Sequence, residues 1–66
     1  MSLTELQEKR GRLVTQAREA LDEIKQNTDE ARATELEDRH DAIMADFDQV
    51  EKDLAREQRQ AALERS

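Results

Sequence analysis

Apolar residues recur at Leu3, Leu6, Leu13, Ala17, Ala20 and Ile24 in steps of three, four and seven, and Val14 and Leu21 widen the stripe. Such spacing places side chains on one side of an α-helix. Ser2-Leu3-Thr4-Glu5 has the form of a capping box, in which a hydroxyl and a carboxylate each satisfy a free backbone N–H. The pattern predicts a first helix over about residues 2–26. It then lapses at "QNTDEAR" and resumes as Ala33, Leu36, His40, Ile43, Phe47, Val50 and Leu54, with Ala61 after a longer step and Met44 beside it. A second helix is predicted over about 28–64.

The lapse itself has a chemical signature. Asn27 and Thr28 disfavour helix interiors and favour N-caps, because their side chains compete for backbone hydrogen bonds. Glu30 lies three residues after Asn27, and Asp29 and Glu30 suit a first turn, where the helix dipole favours anions. Lys25 suits the preceding last turn. The spacing therefore predicts a tight break at 26–28, with Asn27 as an N-cap, and the competing reading is one unbroken helix.

Two amphipathic helices joined by a short break fold back antiparallel and bury stripe on stripe. The expected fold is all-α: a single coiled-coil-like hairpin spanning residues 1–66. A turn at 27–28 pairs residues whose numbers sum to about 57. Ile24 then faces Ala33, Ala20 faces Leu36, Ala17 faces His40, and Leu13 faces Ile43. Leu6 faces Val50, Leu3 faces Leu54, and Leu21 widens the seam. Arg10 interrupts the seam opposite Phe47. Its stem can lie along the apolar surface while its guanidinium stacks on the ring or reaches Asp46 or Asp48. The basic run Lys9-Arg10-Gly11-Arg12 thus reads as a register pin as much as a binding patch. The second arm overshoots the first, leaving residues 57–66 as an overhang that leads onward or pairs with another copy.

Composition sharpens this picture. Charged residues make up 42% of the chain, aromatics 2%, and Phe47 is the single aromatic residue. Sixty-six residues of this kind cannot supply enough apolar area to offset their own ordering entropy, so the chain is expected to self-associate or to borrow a partner's surface. The absence of Cys excludes disulfides and thiolate metal sites. No run is apolar enough for a membrane span, and the first residues are too charged for a signal peptide. The net charge of −6 argues against nucleic-acid binding. That acidity is concentrated at 29–53, where ten acids stand against Arg32, Arg39 and Lys52. Such a run reads as a solvated helix face, or alternatively as an acidic docking surface.

Catalytic chemistry finds no footing in this pattern. The acids fall where solvated faces put them, and a hairpin has no pocket to separate their pKa values. His40 is the only imidazole, and Asp41 beside it points about 100° away on a helix. It reads as a packing residue, with a pH-sensitive contact and a metal ligand as the alternatives. The serines and threonines lack a base, and there is no Gly-rich phosphate loop. The expectation is no enzyme, no cofactor and no metal.

The residues Leu6, Glu8, Lys9, Arg10, Leu13, Val14, Ala17, Arg18, Leu21 and Asp22 together form a run that resembles the start of tailed-bacteriophage major capsid proteins. That start is the delta domain, a cleavable built-in scaffold. The second half is similar too, in Thr28-Asp29-Glu30, His40-Asp41 and "AIMADFDQVEKDLA" with Val50, Glu51 and Leu54. The likeness spans residues 3 to about 58; His40 stands where the family more often has Phe, and the spacer from Thr28 to His40 is longer. The resemblance implies a non-enzymatic assembly scaffold that gathers capsid subunits inside the immature phage head, in the cytoplasm of the bacterial host. It implies a capsid precursor continuing beyond Ser66, a maturation protease acting downstream, and homo-oligomeric partners. An acidic middle that repels packaged DNA would give a reason for removing the scaffold before genome entry. The alternative is a generic coiled-coil module, a small regulator or adaptor.

Overall fold

Ser2 begins the first helix by closing a reciprocal cap. In a computed structural model describing residues 1–66, its hydroxyl accepts from the Glu5 N–H at 3.2 Å. The Glu5 carboxylate accepts in return from the Ser2 N–H at 3.4 Å. From this cap α1 runs Leu3–Gln26, with Lys25 in its last turn. The second helix, α2, runs Glu30–Arg65. The two pack against each other as an antiparallel hairpin, and the chain has no strand.

The turn occupies residues 27–29, so α2 starts two residues later than the cap rules alone predict. Asn27 ends α1, its N–H donating to the Ile24 carbonyl, instead of beginning α2. Its amide side chain then bridges the turn. Oδ1 accepts from the Asp29 N–H at 3.1 Å, and Nδ2 donates to the Asp29 carbonyl at 2.8 Å. Asp29 is the N-cap, its carboxylate accepting from the Ala31 N–H at 3.0 Å. Several cap-forming residues in a row compete, and the Asx turn at Asn27 decides in favour of Asp29.

The molecule measures 55 × 15 × 14 Å. Thirty-six residues at 1.5 Å each span about 54 Å, so α2 runs the whole length without a sharp kink. In the fold-back register Leu3 is level with Leu54, and α2 continues beyond it through Arg65, about 16 Å further. Gly11 does not break α1. Its φ is negative, and a Cβ built there would meet nothing within 4 Å.

The core is one line of side chains. Leu6, Leu13, Ala20, Leu36, Val50 and Leu54 are the buried residues, and no polar group is buried with them. Leu6, Leu13, Val50 and Leu54 form one cluster, against which Leu3, Ile43 and Phe47 pack. An unfolded chain of 7.7 kDa exposes about 11,200 Å², so the folded 5119 Å² means roughly 54% is removed from water. That falls short of the ≈60% usual for a domain of this size. The hairpin is well formed but thinly covered.

Candidate functional site: the interhelical seam

The seam is where the sequence concentrates its apolar and ionic features, and the helices divide it into zones. Near the open end, α1 contributes Leu3 and Leu6 and α2 contributes Val50 and Leu54, the most continuous apolar contact in the chain. Near the turn, Ala20 and Leu36 are buried, while Ile24 and Ala33 are half-covered. Between these zones Ala17, Leu21, His40, Ile43 and Phe47 are all half-buried. In the fold-back register small Ala17 is level with His40, and both are half-buried.

Arg10 is the polar interruption, and it leans across the seam. Its guanidinium carbon lies 5.2 Å from the centroid of the Phe47 ring. Its Nε donates to Oε1 of Glu51 at 2.9 Å. The ring is the neighbour expected from the fold-back, but the acid is not Asp46 or Asp48. Those two are exposed on the outer side of α2. Helical side chains lean toward their own N-terminus, so in an antiparallel pair Arg10 and Glu51 lean toward each other from positions about one turn apart. Arg39 and Glu23 repeat the geometry near the turn, with Nη1 donating to Oε2 at 3.1 Å.

These two bridges mark opposite flanks of the hairpin. A surface depression touching Glu51 is shared by Gln7, Arg10 and Gln58. The depression touching Glu23 is shared by Asn27, Arg32 and Leu36. Both bridges are half-exposed, with side chains 45% and 43% accessible at Arg10 and Glu51, so each contributes less than about 1 kcal/mol. Their value lies in register: each fits only one axial setting of the two helices. The rest of the basic run serves no such role; Arg12 is exposed and Lys9 half-buried, and neither is in an ion pair.

The ten acids of residues 29–53 lie on the outside, except Glu51 and Asp53, which are half-buried. No group of three His, Cys, Asp or Glu side chains stands where it could hold a metal ion. The carboxyl of Glu5 is held below its ordinary value by hydrogen bonds from the side chain and backbone of Ser2. That is a helix cap and not a reactive centre. No helix is long and apolar enough to cross a membrane. Compared with protein-family models, with curated proteins and with solved structures, the chain finds no match.

Proposed function

We propose that this hairpin is a non-enzymatic assembly scaffold, acting through reversible helix–helix association between subunits. The observation that carries the reading is the thin core. A two-helix layer with six buried side chains gains most of its remaining stability from apolar area that only a neighbour can cover. Order then rises with local concentration, which suits a part that must gather subunits and later let go. The charged outer faces, with net charge −6, limit indiscriminate aggregation.

The setting proposed is the immature head of a phage or prophage in the bacterial cytoplasm, with capsid subunits as partners and a maturation protease acting afterwards. It is supported by the likeness of Leu6 to Asp22 and of Thr28 to Leu54 to the delta domain. A gene neighbourhood encoding a portal, a protease and a terminase is the expected finding; a neighbourhood without them removes the capsid setting. Sedimentation of the purified chain from micromolar to millimolar concentration tests the association itself. A growing oligomer fraction is expected, and a monomer throughout would reject the scaffold role.

One observation favours a second reading, an adaptor that offers one arm to a partner helix. The overhang of α2 leaves Leu63 56% exposed beyond the reach of α1. Under that reading, removing residues 57–66 abolishes partner capture while self-association persists.

A further inference from the structure

The two flanks of the hairpin are chemically different. On the flank marked by Glu51, stepping back seven residues along α2 reaches Met44. The same step from Gln7 along α1 reaches Val14, and a second reaches Leu21. Val14 is 49% exposed, and Leu21 and Met44 are half-exposed. The opposite flank, stepping by seven from Glu23 and Arg32, carries Lys9, Gln16 and Arg39. This flank therefore carries an uncovered apolar patch at mid-length, Val14, Leu21 and Met44, bordered along the same rows by Gln7, Glu37, Glu51 and Gln58, while the other flank is polar throughout.

The patch has a charge pattern along its edges. The next position outward on α1 is occupied by Arg18 and Lys25, and the next outward on α2 by Asp41 and Asp48. So the α1 edge is basic and the α2 edge acidic. A surface of that kind is complementary to itself: turning one copy about the long axis sets the α1 edge of each against the α2 edge of the other. In the fold-back register Arg18 and Asp41 lie at nearly the same height, as do Val14 and Met44. The turned copy thus brings Arg18 level with the second copy's Asp41, and closes Val14 and Met44 of both copies into one apolar layer.

A compact monomer of 7.7 kDa exposes about 4,300 Å², roughly 800 Å² less than the 5119 Å² of this hairpin. That surplus belongs to the whole 55 × 15 × 14 Å rod, overhang included, and a neighbour seated on the flank would cover part of it.

We infer that a second copy of this chain docks on the Val14, Leu21 and Met44 flank, forming a two-fold four-helix bundle pinned by reciprocal Arg18–Asp41 pairs. This deepens the scaffold reading and rests on its claim that the chain self-associates, but not on the capsid setting. Four helices in place of two convert the half-exposed middle of the seam into a closed core. Arg18 already lies 3.4 Å from Asp22 on its own helix, and that exposed pair is weak enough to be exchanged for the intermolecular one.

The test uses the full chain in sedimentation equilibrium. Arg18→Asp and Asp41→Arg are each expected to weaken the dimer about tenfold or more, because like charges then meet twice across the axis. The Arg18→Asp/Asp41→Arg double variant is expected to recover most of the loss. The chain has no Cys, so Arg18→Cys mixed with Asp41→Cys gives a clean oxidative cross-link. The mixed disulfide dimer should exceed either variant alone, and Gln16→Cys on the polar flank should stay uncoupled. If association survives both charge reversals and cross-linking runs through Gln16→Cys, this interface is overturned while the scaffold reading stands. If the unmodified chain never associates, both fall.

Discussion

Arg10 and Glu51 stand 41 residues apart in sequence and 2.9 Å apart in space, with the Arg10 guanidinium also over the Phe47 ring. That one side chain ties helix α1 to helix α2 at a single axial setting. The Arg39–Glu23 bridge does the same near the turn. Between them the hairpin resists the one-turn slip that a seam of alternating Leu and Ala would tolerate.

Reversing the charge at Arg10 should therefore loosen the hairpin. Arg10→Glu sets two carboxylates together at Glu51 and removes the cation from the ring. The expected loss is about 1–2 kcal/mol in thermal or urea unfolding. Arg10→Glu with Glu51→Arg should recover about 0.5 kcal/mol of it, the ionic share alone. A melting temperature unmoved by Arg10→Glu would refute the observed register.

Core truncation separates the seam from the overhang. Leu6→Ala or Leu54→Ala removes a buried side chain from the main cluster, and about 2–4 kcal/mol of destabilisation is expected, enough to abolish helicity at micromolar concentration. Leu63→Ala, at an exposed position, should change stability by less than about 0.5 kcal/mol. Circular dichroism melts check both.

Gly11 offers a stabilising change. Its backbone is helical with negative φ, and a Cβ there meets nothing within 4 Å, so Gly11→Ala should stabilise the hairpin by about 0.5–1 kcal/mol. A destabilised variant in the same melt would mean that the glycine backbone is needed for a closer approach than the single chain displays.

The cap at Ser2 gives a pH signature. The carboxyl of Glu5 titrates below its ordinary value of 4.5 because the ionised form accepts hydrogen bonds from Ser2. A depressed folded-state pKa means the unfolded chain binds the proton more readily. The contribution is therefore present above 4.5 and lost as pH falls through the lowered value. Carbon-detected titration of Glu5 should give a midpoint below 4.5 that moves part of the way back in Ser2→Ala, since the residue 2 N–H still donates to the carboxylate. An unshifted midpoint in the unmodified chain would contradict the reciprocal cap.

Much of this architecture could be read from the residues alone, and the parts that could not share a cause. The capping box at Ser2 and Glu5 is a local pattern, and so is the three-and-four spacing that buries Leu6, Leu13, Val50 and Leu54. The proximity of Arg10 to Phe47 follows from folding the chain at its one break. The acid that Arg10 reaches does not, because counting Cα levels ignores the lean of helical side chains toward their N-termini. Allowing for that lean moves the partner of Arg10 from Asp46 or Asp48 to Glu51, and by the same rule finds Glu23 for Arg39. The α2 cap was obscured differently. Asn27, Thr28 and Asp29 can each cap a helix, and which one does so depends on the Asn27 Asx turn, a three-dimensional choice among equivalent chemistries.

The dependence of order on neighbours is most directly tested by following helicity and mass together on dilution, with circular dichroism and sedimentation on the same samples. Helical signal that fades as the oligomer dissociates is the expected result. A monomer that stays fully helical at every concentration would show that two helices and six buried side chains suffice by themselves, and the need for a partner would be gone.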